Sequence, residues 1–310
     1  MKIFKNTPQW DIMGKRKIAF ILTGLLIAVS IISIFTKEIK YGIDFSGGTL
    51  VQVKFQQEPS IQKIRDIFQE KLKQNVEITT FGEEANHEFL ITLSQDSIVN
   101  SDRELSDEVG NIIKMAYPDF DTREGIRRVE TVGPKVGGEL KTKSLEAALF
   151  AFIGILIYIG IRFKFQYGIG AIVAIFHDVI ITMGIFVLSG KEFTLTIVAA
   201  LLTIIGYSLN DTIVVFDRIR ENVAKYPKRE MSSVINLSIN ESLSRTILTS
   251  LTTFLVVLAL FIFGGDIIHD FSFAMLIGLI IGTYSSVFVA SPVVMALNNI
   301  NYSQLLSKSK

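Results

Sequence analysis

Residues Thr194–Phe216 read TLTIVAALLTIIGYSLNDTIVVF, an apolar run whose one charged residue is Asp211. A helix needs about 20 residues to cross the hydrocarbon core of a bilayer, so this run is long enough to span it. A carboxylate at that depth costs about 2.5–3.5 kcal/mol on insertion scales, and such residues persist where they bind ions, carry protons or pair with a cation. The next apolar run, Leu243–Phe263, carries the cation Arg245. The two runs predict a membrane helix pair in which Asp211 and Arg245 form a proton relay.

The composition around this run is that of a multi-span membrane protein. Of the 310 residues, 49% are hydrophobic, and the mean hydropathy is +0.43, which is too apolar for an ordinary soluble protein. The net charge of +1 gives no electrostatic basis for binding nucleic acid. The sequence has no cysteine, and its three histidines lack metal-ligand spacing. We therefore expect no metal, no cofactor and no enzymatic activity.

Six apolar runs are each predicted to cross the membrane. The first follows the basic cluster 15–17 and is too long for the apolar part of a signal peptide, so it is expected to remain as a span. The runs are Ile18–Thr36, Leu145–Ile161, Gly168–Ser189, Thr194–Phe216, Leu243–Phe263 and Phe271–Leu297. They divide the chain into residues 1–36 with the first span, a polar segment 37–143, a five-helix bundle 144–297 and a tail 298–310.

Lysines and arginines in the short connecting segments fall almost entirely on one predicted side. Fourteen lie in residues 1–17, 162–166, 217–242 and the tail, whereas the opposite loops 190–193 and 264–270 hold only Lys191. Because loops rich in Lys and Arg stay in the cytoplasm, we expect a multi-pass membrane protein with both termini in the cytoplasm; the family resemblance given below implies that this membrane is the bacterial cytoplasmic (inner) membrane. The segment 37–143 is then extracytoplasmic.

The segment 37–143 has the periodicity of an outer α+β domain. Thr49–Phe55 alternates like a half-buried strand, and Ser60 can cap a helix with an apolar stripe from Ile61 to Leu72. The further predicted elements are strands Val76–Phe81, Glu88–Leu93 and Ile126–Val132, and a helix from about Ser101, which can cap it, to about Tyr117. The order β-α-β-β-α-β is typical of a ferredoxin-like domain.

Two glycine-rich junctions flank this segment, GIDFSGGT at residues 42–49 and VGPKVGGEL at residues 132–140. Glycine permits tight turns and close backbone approach, and neither junction has the pattern of a phosphate-binding loop. They are interpreted either as shaped linkers or as hinges that let the outer domain swing. The residues concerned are Gly42, Gly47, Gly48, Gly133, Pro134, Gly137 and Gly138.

Polar neighbours extend the predicted relay. Ser208 lies three residues before Asp211 and shares its helix face, Asn210 adjoins it, and Thr249 lies one turn beyond Arg245. The two helices run in opposite directions, which places Asp211 and Arg245 in the same half of the bilayer, where they can meet. An arginine that approaches or leaves a buried carboxylate changes its proton affinity. A permanent structural ion pair is the alternative.

His177 and Asp178 lie near the middle of the third span. They are a second candidate for the relay, because histidine titrates near neutrality. An equally weighted alternative is a packing hydrogen bond to a neighbouring Ser or Thr.

Five motifs together resemble the SecF family, the smaller membrane subunits of the SecDF protein-export complex. They are GIDFSGGT, VGPKVGGEL, FHDV, GYSLNDTIVVFDRIREN and SRTILTSLTT, in that order. The resemblance implies a six-helix half of an RND-superfamily pump whose partners are SecD, the SecYEG channel, a YajC-like small membrane protein, membrane lipid and unfolded exported polypeptides. It also implies that the proton-motive force drives export and that Asp211 and Arg245 occupy the positions of proton flow.

Three other functions compete with this one. An intramembrane aspartyl protease could use Asp178 and Asp211, but Ser-Leu-Asn precedes Asp211 where such proteases have Gly-x-Gly. A small-molecule RND exporter would need two six-span halves. A structural assembly subunit of the translocon would use Asp211 and Arg245 only for packing, without proton flow.

Overall fold

The computed structural model describes residues 7–72, 76–81, 86–93 and 102–298. The chain forms two compact units. The α+β unit comprises residues 41–146 together with 192–195, and the helical unit comprises residues 1–40, 147–191 and 196–310.

The α+β unit is built on one antiparallel sheet of four strands in the order β2-β3-β1-β4. Val51 in the centre of β1 pairs with Ile91 on β3 and with Val129 on β4. Because alternate strand residues share a face, Val51, Val53 and Ile91 all point into the core and are fully buried. The strands are β1 Gly48–Lys54, β2 Glu77–Phe81, β3 Glu88–Leu93 and β4 Ile126–Val132.

Helices of the α+β unit pack their apolar stripes on this sheet. In the helix that precedes β2, Ile64 and Phe68 lie four residues apart and are buried in the same core as β1 and β3. Ser60 Oγ accepts a hydrogen bond from the amide of Lys63 at 3.4 Å, as predicted for its cap. The cap at Ser101 lies outside the described residues. The helices are α2 Ile43–Ser46, α3 Ile61–Leu72, α4 Asp102–Ala116 and α5 Thr122–Gly125.

The predicted order of strands and long helices is confirmed, with two of the four strands at the predicted residues. The short helices α2 and α5 were not predicted. Asp121 caps α5, because its side chain accepts a hydrogen bond from the amide of Arg123 at 2.8 Å. Such a single turn is too short to leave a periodic signal in the sequence.

Six helices among the described residues are long and apolar enough to cross a membrane, as predicted. The last of them continues through a π-helical turn, Ser286–Ala290, to residue 298. The membrane helices are α1 Arg16–Thr36, α6 Pro134–Arg162, α7 Phe165–Leu188, α8 Leu195–Lys225, α9 Met231–Phe263 and α10 Asp266–Ser285.

Close contacts between small residues hold the helical unit together. A Cβ added at Gly184 of α7 would lie 2.2 Å from the Cβ of Ser30 on α1. On α10, Gly278 and Gly282 face Ile204 and Ser208 of α8, as expected for a small-xxx-small pair. The second of these contacts places the buried Ser208 of α8 directly against α10.

Helices extend into two of the segments that connect the predicted elements. Residues 217–242 continue α8 to Lys225 and resume in α9 at Met231, because polar side chains join the two helices. Glu241 Oε2 accepts hydrogen bonds from Arg218 at 2.7 Å and from Asn222 at 2.6 Å. The second glycine-rich junction is helical from Pro134 onward, where α6 begins. Proline fits the first turn of a helix, where its missing N–H is not needed.

Candidate functional site

Asp211 lies on α8 and is 7% exposed. Its Oδ2 accepts a hydrogen bond of 2.8 Å from Ser250 of α9, and Ser250 Oγ is 3.0 Å from the hydroxyl of Thr283 on α10. A hydroxyl both donates and accepts, so the two side chains form a short hydrogen-bonded path from the carboxylate to a third helix. The predicted lone carboxylate is therefore buried and partnered by neutral groups.

A polar crevice between α8, α9 and α10 contains Asp211. The supporting residues Ser208, Asn210 and Thr249, which the sequence singles out, all line it. Asn210 and Thr249 are exposed, whereas Ser208 is buried. The sequence thus predicts one coherent polar site on these helices. The remaining lining residues are Tyr207, Ser250, Gly278, Leu279, Gly282 and Thr283.

Arg245 does not pair with Asp211. Its side chain is exposed, and among the described residues no ion pair joins it to the carboxylate. Ser250, which does contact Asp211, lies five residues further along α9. Five residues turn an α-helix by about 500°, so Arg245 and Ser250 point about 140° apart. The expected meeting of the two charges is therefore absent from this conformation.

Asp178 on α7 forms a second polar cluster. Its carboxylate is 1% exposed and accepts hydrogen bonds from Ser285 of α10 at 2.8 Å and from Ser208 of α8. The expected packing hydrogen bond to a neighbouring serine is thus present, twice. Ser208 also lines the crevice of Asp211. The Ser208 side chain therefore lies between the Asp178 cluster and the crevice that contains Asp211.

His177 completes this cluster. Its Nδ1 lies 2.7 Å from Asp178 Oδ1, and its ring stacks on Tyr284 with the centroids 6.1 Å apart. Tyr284 in turn donates to the carbonyl of Ala19 on α1 at 3.1 Å. His177 Nε2 is buried and has no hydrogen-bond partner among the described residues. The geometry fits both the packing role and the relay role that the sequence leaves open.

The first glycine-rich junction forms the tight turn that its sequence predicts. Gly47 and Gly48 have φ angles of 71° and 122°, a region that side chains with a Cβ rarely adopt. A Cβ at Gly48 would lie 2.5 Å from the carbonyl oxygen of Leu93. In the second junction Gly137 approaches this turn closely, at 3.2 Å from its added Cβ to the nitrogen of Gly47, whereas Gly133 and Gly138 face open space.

Sequence reasoning missed Ser250, Thr283, Tyr284 and Ser285. A signal was available on α10, because Ser285 lies seven residues beyond Gly278 and so shares its close-packed helix face. On α9, Ser250 lies four residues after the buried Thr246 and so shares its helix face. Arg245 is exposed and lies on a different face.

Two family models match the chain. The C-terminal region of the SecD/SecF protein export membrane proteins matches residues 112–300, which include both carboxylate sites. The SecD/SecF GG motif matches residues 32–59, which include Gly47 and Gly48.

Curated relatives named protein translocase subunit SecF match over almost the whole chain. The one from Calditerrivibrio nitroreducens is 47% identical and covers 97% of this chain and 98% of its own length. The relative from Desulfurispirillum indicum is 44% identical, with 90% and 88% covered. The relative from Rhodothermus marinus is 42% identical, with 96% of each chain covered.

Solved structures of SecDF show the same architecture. The crystal structure of SecDF from Thermus thermophilus, titled a translocon-associated membrane protein, matches with a TM-score of 0.85 and 36% identity over 96% of this chain. SecDF in a super-membrane-facing form matches with a TM-score of 0.72 and 36% identity over 99% of this chain. The present chain spans 40% and 41% of those two chains.

Proposed function

Because the chain belongs to the SecF family of protein translocase subunits, we propose that it assembles with SecD and uses the proton-motive force to promote late steps of protein export. It acts without cofactor and without enzymatic activity, in the bacterial cytoplasmic membrane. Both termini lie in the cytoplasm and the α+β unit faces outward, in keeping with the fourteen-to-one asymmetry of Lys and Arg in the short loops. The further partners are the SecYEG channel and a YajC-like small membrane protein.

The observation that carries this proposal is the buried carboxylate of Asp211 beside a polar crevice. Ser250 and Thr283 extend its hydrogen bonding across three membrane helices. Hydroxyl groups can rotate between donor and acceptor roles, which lets a proton reach or leave the carboxylate. An ionisable group at this depth with such neighbours is the usual mark of a proton path.

Arg245 supplies the coupling in this mechanism. Its guanidinium stays charged at all physiological pH values. When helix movement brings it to Asp211, the ionised carboxylate is favoured and a proton is released; when it withdraws, burial favours the protonated form. The exposed side chain seen here corresponds to the withdrawn state. An exposed charge on a membrane helix is costly, so we propose that SecD covers this face of α9.

The α+β unit is proposed to hold the exported polypeptide. In the sheet formed by the described residues, β2 and β4 are the edge strands. An edge strand offers unpaired N–H and C=O groups that an extended segment can join without sequence preference. Exported polypeptides vary in sequence, so this mode of binding suits them.

Export measured with and without the proton-motive force tests the proposal. Wild-type chain with SecD in inverted membrane vesicles should speed export only when the gradient is present. Asp211→Asn should remove that stimulation while assembly persists, because asparagine keeps the size but cannot titrate. Asp217→Asn is the matched control, since Asp217 lies on the same helix outside the crevice and pairs with Arg162. Full stimulation in Asp211→Asn would favour the assembly role.

Arg245→Lys gives a second readout in the same assay. Lysine keeps the charge but loses the forked geometry and can deprotonate when it is buried, so stimulation should fall between the wild type and Arg245→Ala. Wild-type stimulation in Arg245→Ala would remove the arginine from the mechanism.

A further inference from the structure

The glycine-rich segment Gly42–Gly47 contacts the first residue of α8. The carboxylate of Asp44 accepts a hydrogen bond from the backbone amide of Leu195, the first residue of α8, at 2.9 Å. Residues 192–195 belong to the α+β unit together with Asp44. The first amides of a helix lack partners within the helix and carry partial positive charge. An aspartate at this point therefore both satisfies a donor and complements the helix dipole.

Independent contacts join the same two segments. The amide of Gly42 donates to the carbonyl of Phe193 at 3.1 Å, and Tyr41 and Phe193 form a parallel β-bridge. Phe45 stacks on Phe193 with centroids 5.8 Å apart, and Tyr41 meets both rings edge-on. A Cβ at Gly42 would lie 2.8 Å from Thr194 Cγ2, so a larger residue there would force the Thr194 side chain to shift. The loop before α8 is thus bound to the segment 41–45 by backbone hydrogen bonding, by aromatic ring contacts and by the Asp44 carboxylate.

The helix that begins at this contact carries Asp211. α8 runs without interruption from Leu195 to Lys225, and a continuous helix transmits a shift of one end to the other. The start of α6 also contacts the segment 42–47, since Gly137 in its first turns lies against the backbone of Phe45 and Gly47. A change at Asp211 that moves α8 along or about its axis would therefore act on the segment 42–47, which leads directly into β1.

From these contacts we infer that Asp44 is a positioning residue that couples α8 to the α+β unit, so that proton binding at Asp211 is converted into movement of that unit. The inference rests on the proposed function. In this proposal Asp44 transmits movement of α8 to the α+β unit, and the residues of the crevice around Asp211 carry the proton. Loss of Asp44 should then separate proton movement from export instead of abolishing both.

The test uses the full chain with SecD and compares Asp44→Ala, Asp44→Asn and the control Asp66→Ala. Asn accepts at a helix start as well as Asp does, so it should rescue most of the function. Asp66 is an exposed aspartate on α3 of the same unit, and it accepts a hydrogen bond from Gln62 of its own helix. Its variant removes the same charge without touching the start of α8.

The first measurement is hydrogen–deuterium exchange of the purified full chain over residues 190–200. Asp44→Ala should exchange about fivefold faster there, as loss of a capping acceptor predicts, while Asp44→Asn and Asp66→Ala stay at the wild-type rate. Unchanged exchange in Asp44→Ala would overturn the structural contact, whatever the function of the chain.

The second measurement follows export and proton uptake in the same inverted vesicles. Asp44→Ala should lose the gradient-dependent part of export and keep wild-type proton uptake, and Asp44→Asn should keep both. Retention of both activities in Asp44→Ala, or loss of both, would overturn the coupling role. If wild-type vesicles themselves show no proton uptake, the proposed function fails, and the exchange experiment still decides whether Asp44 fixes α8.

Discussion

Substituting Gly184 by alanine tests the packing that holds the two carboxylate sites in place. The added Cβ would lie 2.2 Å from Ser30 Cβ and 2.4 Å from Ser30 Cα. Carbon atoms pack best at about 3.5–4.0 Å, so α1 and α7 must separate by about 1.5 Å at this point. Because one of the clashing atoms is backbone, rotation of a side chain cannot relieve the contact.

The expected net loss for Gly184→Ala is about 2 kcal/mol. Overpacking of a tight core costs about 1–3 kcal/mol, and a backbone clash belongs at the upper end of that range. Replacing glycine by alanine inside a helix returns up to about 1 kcal/mol. Equilibrium unfolding of the purified full chain in mixed detergent, followed by circular dichroism, measures the difference.

Gly206→Ala is the matched control, because Gly206 of α8 has no atom within 4 Å of its added Cβ. It should be as stable as the wild type or more stable by up to about 1 kcal/mol. Ser30→Gly should restore part of the stability of Gly184→Ala, since it removes the Cβ clash and leaves the Cα clash. Equal stabilities of Gly184→Ala and Gly206→Ala would contradict the close approach of α1 and α7 at Gly184.

Further predictions concern the start of the chain and Asp178. Asn240→Leu should raise acrylamide quenching of Trp10, the chain's single tryptophan, because Asn240 bonds both the amide and the carbonyl of Trp10 at 3.1 and 2.9 Å; unchanged quenching would contradict this docking. Hydrogen bonds from the Gly14 amide and from Asn236 lower the pKa of the Asp11 carboxyl. The ionised carboxylate therefore stabilises the docked start of the chain fully above the ordinary Asp pKa of about 3.9. This stabilisation is lost as the pH falls through the lowered pKa of Asp11. Quenching should therefore stay constant from neutral pH down to that range, and Asp11→Asn should remove the acid-induced rise. Asp178→Ala should cost about 1–3 kcal/mol in the unfolding assay, because buried hydroxyl donors lose their acceptor, while Asp178→Asn, which keeps a carbonyl oxygen, should cost less; equal losses would show that these hydrogen bonds contribute little.

Much of the fold could be predicted from local patterns in the sequence. Strand and helix periodicity located the elements of the α+β unit, and hydropathy located the six spans. Hydropathy measures membrane burial and does not report where a helix ends, so it did not give the extent of α8 and α9 within residues 217–242. In this segment Arg218 of α8 and Glu241 of α9 form an ion pair that joins the two helices.

The candidate site was predictable only in part, for a geometric reason. Asp211 is identifiable from its cost in a membrane, but its partner depends on the rotation of α9 about its axis. A rule that pairs opposite charges selects Arg245, whereas the helix presents Ser250 to the carboxylate. The contact between Asp44 and Leu195 joins residues 151 positions apart, and no local pattern records it.

The most direct test of the central claim is proton uptake during export. Inverted vesicles that contain the full chain and SecD are loaded with a pH-sensitive dye, and a translocating substrate is added. We expect substrate-stimulated proton movement in the wild type and in Asp217→Asn, and none in Asp211→Asn. Equal proton movement in the wild type and Asp211→Asn would contradict the assignment of Asp211 as the group that carries the proton.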